Sequence, residues 1–251
     1  MIASAADPET FNVNGRSIAY RARPGSSPTL VFLPGYASDM EGTKALALDG
    51  FAQERGSSML RLDYSGTGSS AGRFEDGTLA LWLEEALAAV DELTDGPLIL
   101  VGSSMGGWIA LHLALLRPER VQALAGIAAA PDFTEWGFGP PQRAMLEREG
   151  RLGQPDPEGR ATPHLMTQAF WQSGQALRLL DGEIAIDCPV RLIHGEDDRD
   201  VPLDVAFRTM RALRSSDVQL NVIKGGGHRL SESHEIAAIL HTVEGLLERQ
   251  P

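Results

Sequence analysis

Ser104 stands at the centre of Gly102-Ser103-Ser104-Met105-Gly106, a Gly-x-Ser-x-Gly pattern in which the serine could act as a nucleophile. An apolar run over 98–101 predicts a buried strand before the pattern, and an apolar, Ala-rich run over 108–116 predicts a helix after it. A strand, a tight turn and a helix in this order favour a strained turn that lifts the serine hydroxyl above a sheet. The two glycines lack the Cβ atoms that would collide in such a turn. The alternative is a Gly/Ser-rich turn without chemistry.

A serine hydroxyl needs a base to take its proton, and the sequence holds six histidines. We favour His228, because it follows a predicted strand end and the run Gly225-Gly226-Gly227. The carboxyl ends of parallel strands meet at one edge of a sheet, so His228 is expected near Ser104. His234, in the last predicted helix, is the main alternative. The others lie in helices, in a strand end or in an irregular segment: His112, His164, His194 and His241.

A third group must orient the base, and four carboxylates follow the predicted strand over 190–194. The spacing Gly-x-x-Asp-x-x-Val-Pro selects Asp198 for this role. Asp197 or Asp200 could instead cap the helix predicted to begin near Pro202. Each carboxylate could also be a solvated turn residue.

An acyl-transfer reaction also needs donors for the oxyanion that forms on the substrate. The N–H of Met105 at the serine turn is one candidate. The segment Pro34-Gly35-Tyr36 follows an early strand, and Gly35 would let the backbone approach the site closely, so the N–H of Tyr36 is the second candidate. Tyr36 could equally be a packing residue that forms one wall of a pocket.

Strands and helices alternate along most of the chain. The turn pair Asn14-Gly15 predicts an edge hairpin. Further strands are predicted over 29–33, 59–63, 121–127, 190–194 and 218–223, and helices over 43–54, 78–93, 203–213 and 232–248. This alternation predicts an α/β protein with a mostly parallel central sheet covered by helices on both faces. The order Ser, Asp, His along the chain is the order expected of the α/β-hydrolase fold.

The regular pattern breaks over 131–187, where prolines, charges and scattered large apolar residues predict an inserted helical cap with short helices near 141–149 and 164–180. The hydrolase core would then comprise 1–130 and 188–251. The large apolar residues of the cap either line an acyl pocket or pack the cap onto the sheet. The candidates for substrate contact are Gly35, Trp136, Phe138, Met166 and Phe170.

The composition restricts the partners of this 251-residue chain. A net charge of −12 argues against nucleic acid and against anionic membrane surfaces. No apolar run approaches bilayer length, so stable membrane insertion is not expected. The single Cys188 cannot form an intrachain disulfide and is expected to be a small buried hydrophobe. The opening residues 1–8 lack the features of a signal or transit peptide, and a cytoplasmic location is therefore predicted.

Five segments together resemble the mitochondrial abhydrolase-domain enzymes known as palmitoyl-protein thioesterases and acyl-glucuronide esterases: residues 33–47, 61–70, 101–108, 188–195 and 227–229. The Pro34-Gly35-Tyr36 and Asp63-Tyr64-Ser65-Gly66 segments are the most specific of these. The likeness spans nearly the whole chain and is weakest in the cap. Asp63 has no evident chemical partner by spacing, and a buried turn-forming role is expected for it.

The resemblance implies Ser104 as nucleophile, Asp198 as acid and His228 as base. It also implies hydrolysis of small-molecule or protein-linked acyl thioesters and esters, S-palmitoyl groups included, without a cofactor, and no metal site is predicted. Because a mitochondrial presequence is lacking, a bacterial relative is expected. The alternatives are a small-molecule carboxylesterase or cofactor-free perhydrolase with the same triad, and a non-catalytic binding protein on the same fold.

Overall fold

A computed structural model describes residues 7–248 of the chain. Within that range the strands are β1 (Glu9–Val13), β2 (Arg16–Arg23), β3 (Ser26–Leu33), β4 (Ser57–Leu62), β5 (Leu98–Ser103), β6 (Val121–Ile127), β7 (Arg151–Leu152), β8 (Met166–Thr167), β9 (Val190–Gly195) and β10 (Val218–Ile223). The α-helices are α1 (Thr43–Arg55), α2 (Leu79–Leu93), α3 (Met105–Leu116), α4 (Phe133–Trp136), α5 (Pro140–Glu149), α6 (Gln168–Ala176), α7 (Leu203–Ala212) and α8 (Ser233–Leu247), and a short 3₁₀ helix spans Phe74–Asp76.

Eight of the strands form one sheet in the order β1-β2-β4-β3-β5-β6-β9-β10. The β1–β2 hairpin and its junction with β4 are antiparallel, and every other pairing in this sheet is parallel. The carboxyl ends of β3, β5, β9 and β10 therefore open onto one edge of the sheet. This is the α/β-hydrolase fold, with the mostly parallel sheet that the alternating pattern predicts.

Helices cover both faces of the sheet and divide the core into two layers. On one face, α1 and α8 bury apolar residues such as Leu48 and Val243 against the strands. On the other face, α2 and α3 bury Trp82 and Trp108. Ten consecutive residues of α3 are buried, which is why its sequence is apolar on every side. This central helix fixes the residue that precedes it, Ser104, against the sheet.

The residues of the predicted cap, 131–187, contain α4, α5, the β7–β8 pair and α6. We refer to them as the cap segment. The predicted helix over 164–180 is shorter in the structure, because 166–167 pair as a strand and the Thr167 side chain then accepts the Phe170 N–H as an N-cap. The sequence missed α4 and the β7–β8 pair, which are too short to show a period.

Cys188 departs from its expected burial. The thiol is only half-buried, next to the start of β9, and the partial burial raises its pKa to about 11. None of the helices within 7–248 combines the length and the apolar character that crossing a bilayer requires. The predicted absence of a leader in residues 1–8 falls almost entirely outside the described range.

Gly106 tests how tightly the serine turn is packed. An added Cβ at this position would lie 2.0 Å from the Leu33 carbonyl oxygen, so we expect Gly106→Ala to lower the free energy of unfolding by about 3 kcal/mol. Gly50→Ala in α1 is the matched control, because no heavy atom lies within 4 Å of its added Cβ. That change should leave stability unaltered or raise it by up to about 1 kcal/mol. Urea unfolding of both variants measures the difference, and equal stability would contradict the close packing.

Candidate active site

Ser104 occupies a strained turn between β5 and α3. Its backbone has φ +53° and ψ −118°, a conformation that side-chain-bearing residues rarely adopt. The turn can close because Gly102 and Gly106 meet without side chains: a Cβ on Gly102 would lie 2.3 Å from the Gly106 carbonyl oxygen. The Ser104 N–H donates to the Ile127 carbonyl at 2.9 Å, and the Ala130 N–H donates to the Ser104 carbonyl at 3.0 Å. Both sides of the turn are therefore held, and its strain is maintained by its neighbours.

Three side chains from three different strand ends form a continuous hydrogen-bonded chain. His228 Nε2 lies 3.1 Å from Ser104 Oγ, and His228 Nδ1 lies 2.8 Å from Asp198 Oδ2. Ser104 follows β5, Asp198 follows β9 and His228 follows β10, so the parallel sheet brings together residues that are 124 and 30 positions apart. The distances are those of ordinary hydrogen bonds, and the order matches a nucleophile, a base and an orienting acid.

The loop after β9 holds the Asp198 carboxylate in one orientation. Its Oδ1 accepts the N–H groups of Asp200 at 2.9 Å and Val201 at 2.8 Å, which leaves Oδ2 directed at His228. The side chain is fully buried. Burial alone would raise the pKa of Asp198, but the hydrogen bonds from His228 and the two amides outweigh it and hold the pKa below its ordinary value. The group is therefore ionised at neutral pH and can stabilise a positive charge on His228.

Within residues 7–248, His228 is the histidine that hydrogen-bonds to Ser104, and His164 only lines the same cavity. His234, the alternative base, is exposed at the start of α8. His112 points into the interface with the cap segment, where its Nε2 lies 2.9 Å from the Leu177 carbonyl oxygen. His194 is a finding that the sequence did not provide: its Nε2 lies 2.9 Å from the Val201 carbonyl oxygen and 3.5 Å from Asp198 Oδ2. It packs behind residues 196–201, which follow β9 and which we call the acid loop, and helps to fix the shape of that loop.

The residues of the two expected oxyanion donors adjoin Ser104, Met105 in the chain and Tyr36 through its neighbour Gly35. Met105 is the first residue of α3, so its N–H has no acceptor one turn earlier in the helix, and the positive end of the helix dipole lies beside it. Gly35 passes directly against the nucleophile, since a Cβ there would lie 3.3 Å from Ser104 Cβ. This close approach places the peptide that joins Gly35 to Tyr36 near Ser104. The absence of a side chain at Gly35 therefore allows the backbone of this loop to lie close to Ser104.

Ser104 and His228 line a cavity of about 530 Å³ whose walls come from both the core and the cap segment. Its walls are mostly apolar, with polar groups added by the acid loop and the cap segment. The apolar lining residues are Tyr36, Ala130, Phe133, Trp136, Phe138, Leu152, Pro163, Leu165, Met166 and Val201. The other lining residues are Gly137, Gln142, His164, Arg199 and Asp200. A cavity of this size is large enough to bind a small molecule, and its apolar walls favour a ligand with an apolar part.

Of the five candidate contact residues, three line the cavity and two, Gly35 and Phe170, do not. Trp136, Phe138 and Met166 line the cavity. Phe170 does not belong to its lining: only 1% of the residue is exposed, and its ring packs 5.0 Å from the Tyr36 ring in an aromatic cluster behind the wall. The spacing of apolar residues cannot separate these two positions. Arg199 and Asp200 line the cavity because they flank Asp198, a signal that was present in the sequence.

Asp63 is a buried turn residue, as expected. Its Oδ1 accepts the Met40 N–H at 2.7 Å and its Oδ2 accepts the Ser69 N–H at 2.8 Å, so it ties the loop that carries Tyr36 to the end of β4. Burial raises its pKa from an ordinary 3.8 to about 6, against the lowering by those two amides. The carboxylate acts as an anchor of the loop.

This raised pKa predicts a specific pH dependence of stability. Between about pH 4 and pH 6 the folded protein holds a proton on Asp63 that the unfolded chain releases, so this group's contribution to stability falls as the pH rises through that window. Above pH 6, the resulting decrease in the free energy of unfolding reaches up to about 3 kcal/mol. Asp63→Asn should lack this fall, and its unfolding free energy relative to the unsubstituted protein should improve from pH 4 to pH 7. Asp95→Asn, at an exposed site, is the control. Parallel pH profiles for all three proteins would contradict the raised pKa.

The fold and the hydrogen-bonded Ser–His–Asp group define a hydrolase of the esterase and thioesterase class. The sequence profile of the alpha/beta hydrolase family matches residues 30–240, and the chain belongs to that family. It is 37% identical to the human mitochondrial palmitoyl-protein thioesterase ABHD10 over 236 residues, which are 93% of this chain and 77% of that protein.

Solved structures give the same relationship. Alpha/beta hydrolase domain-containing protein 10 from mouse superposes with a TM-score of 0.89 at 34% identity, over 97% of this chain and 99% of that one. A protein from Agrobacterium vitis S4 superposes with a TM-score of 0.86 at 38% identity, over 95% of this chain and 97% of that one. These similarities include the cap segment, where the sequence resemblance was weakest.

Proposed function

We propose that the protein hydrolyses acyl thioesters or carboxylic esters, in the manner of a palmitoyl-protein thioesterase, through a covalent acyl-enzyme on Ser104. The observation that carries the proposal is the hydrogen-bonded chain Asp198–His228–Ser104 at one side of an apolar cavity. Relatives at 37% identity that bear the name of a palmitoyl-protein thioesterase support the substrate class.

In the acylation step, His228 Nε2 takes the proton of Ser104 as Oγ attacks the acyl carbon. The tetrahedral intermediate places its negative oxygen between the N–H groups of Tyr36 and Met105. Collapse of the intermediate breaks the bond to the thiol or alcohol, which leaves with the proton from His228. Asp198 keeps the Nδ1 proton of His228 in place and stabilises the imidazolium throughout.

Deacylation repeats the same steps with water as the nucleophile. His228 takes a proton from the water as its oxygen attacks the acyl-enzyme, and the acid product leaves when Ser104 recovers the proton. No electron transfer and no second substrate besides water enters this cycle.

The walls of the cavity favour an apolar acyl group. Each methylene removed from water contributes about 0.8 kcal/mol to binding. Trp136, Phe138 and Met166 supply apolar surface from the cap segment beside the nucleophile. An acyl chain would bury more of this surface than a sugar or a peptide, which supports a fatty acyl substrate.

Two measurements test the proposal. A fluorophosphonate probe should form an adduct on Ser104 of the folded protein, and absence of an adduct would favour a non-catalytic binding protein. Acyl thioesters and oxyesters of matched chain length, from acetyl to palmitoyl, should then be compared. Turnover of medium and long acyl thioesters is expected. Turnover of short oxyesters alone would contradict the thioesterase assignment and favour a small-molecule carboxylesterase.

A cytoplasmic location is part of this proposal, on the strength of the single cysteine and the composition of the chain. The curated relatives carry "mitochondrial" in their names, which describes those proteins. Fractionation of cells that express the native chain would test the location.

A further inference from the structure

The side chain of Tyr36 connects the loop beside the nucleophile to the cap segment. Its hydroxyl donates a hydrogen bond to the Leu165 carbonyl oxygen, 129 residues further along the chain. Burial raises the pKa of the phenol above its ordinary value, so the hydroxyl keeps its proton and remains a donor. The backbone of the same residue lies next to Ser104, because Gly35 packs against the serine. One residue therefore bridges the reaction centre and the cap segment.

The Tyr36 ring is held by packing against other rings as well as by the hydrogen bond of its hydroxyl. Four other rings surround it, with centroid distances from 5.0 to 6.1 Å: Phe74, Trp82, Phe133 and Phe170. Phe74 and Trp82 belong to the core, and Phe133 and Phe170 belong to the cap segment. A ring packed in this way has little freedom to turn, so its hydroxyl presents a donor at a defined point.

Residues 163–166 form the cavity wall that this hydroxyl holds. All four of them line the cavity, and Leu165 and Met166 are buried. Within the described residues, the other hydrogen bonds of this stretch stay inside the cap segment: the Leu165 N–H donates to the Thr162 carbonyl at 3.3 Å, and Met166 pairs with Leu152. The Tyr36 hydroxyl is thus the polar link between this wall and the core.

We propose that the Tyr36 hydroxyl determines acyl specificity by fixing residues 163–166 as the wall of the acyl cavity beside Ser104. The inference rests on the proposed function for its substrates and goes beyond it by assigning a positioning role to a side chain whose backbone N–H has a separate task. When the wall stays in place, each methylene added to the acyl chain packs against it. If the wall can move away, each added methylene gains less contact. The value of kcat/KM then rises less steeply with the length of the acyl chain.

Tyr36→Phe isolates the hydroxyl, because it keeps the ring and the backbone N–H. We expect the ratio of kcat/KM for octanoyl over acetyl thioesters to fall by about fivefold, the factor that one ordinary hydrogen bond is worth. We also expect faster amide hydrogen exchange at residues 164–167. Tyr20→Phe is the matched control: its hydroxyl bonds Glu9 at 3.1 Å on the exposed hairpin, remote from the cavity, so both readouts should stay unchanged.

A merely structural role gives a different result. If Tyr36→Phe lowers the unfolding temperature and reduces turnover of both substrates equally, with an unchanged chain-length ratio, the specificity role is overturned. If amide hydrogen exchange at residues 164–167 is unchanged, the Tyr36 hydroxyl does not hold this wall in place, and the proposal is overturned. The exchange measurement does not depend on turnover, so it tests whether the Tyr36 hydroxyl holds the wall even if the protein hydrolyses no acyl ester. The absence of hydrolysis would contradict the proposed function and not this role of the hydroxyl.

Discussion

Ser104→Ala is expected to lower kcat for acyl thioesters by about 10⁵- to 10⁶-fold, the loss that follows when a triad nucleophile is removed. The reason is that no other oxygen can take its place: the only route to an acyl-enzyme in the proposed mechanism passes through Oγ, 3.1 Å from His228 Nε2. The residual rate comes from the oxyanion donors and from substrate binding. Initial rates with a single chromogenic thioester, at saturating concentration, measure the effect.

Ser103→Ala is the control for this variant. Ser103 is the adjacent residue in β5 and is likewise a serine with little exposure, so the same atom is removed one position from the nucleophile. Its kcat should stay within about twofold, since an isolated side-chain hydroxyl outside the site carries little of the reaction. Fluorophosphonate labelling should persist in Ser103→Ala and disappear in Ser104→Ala. Turnover at the original rate by Ser104→Ala would remove the serine from its proposed role.

Asp198→Asn is expected to lower kcat by about 10⁴-fold with little change in KM, because it places His228 in the wrong tautomer. The N–H groups of Asp200 and Val201 point at Oδ1, so an asparagine keeps its oxygen there and turns its amino group toward His228 Nδ1. The imidazole then accepts at Nδ1 and carries its proton on Nε2. That nitrogen faces Ser104 and can no longer accept the hydroxyl proton.

The tautomer itself can be measured. Nitrogen-15 NMR of the His228 ring should show the proton on Nδ1 in the unsubstituted protein and on Nε2 in Asp198→Asn. Asp197→Asn is the matched control, because this neighbouring carboxylate is exposed and only its backbone N–H, which donates to the Gly226 carbonyl at 2.9 Å, has a fixed partner. Its kcat should be unchanged. An Asp198→Asn variant with more than about a tenth of the original kcat would show that the acid lies elsewhere.

Local features of the site were accessible from the sequence because short-range sterics determine them. The Gly-x-Ser-x-Gly pattern predicts a turn that only glycines at positions 102 and 106 can close, and the structure shows those two residues in backbone contact. Residues that follow the ends of parallel strands must meet at one edge of a sheet. This rule placed His228 near Ser104, and the spacing Gly-x-x-Asp-x-x-Val-Pro then selected Asp198 among the four carboxylates at the same edge.

The sequence by itself therefore determined the fold class, the strand–turn–helix at Ser104, and the three residues Ser104, Asp198 and His228 that the structure brings together. The tertiary structure decided which side chains face the cavity: Phe170 packs behind its wall, His194 supports the acid loop, and the Tyr36 hydroxyl reaches Leu165. These contacts join residues far apart in the chain, and the cap segment has too little regular structure for a period to reveal its inner face. Periodicity reports which face of an element is buried, but the identity of the neighbour depends on how non-adjacent elements pack.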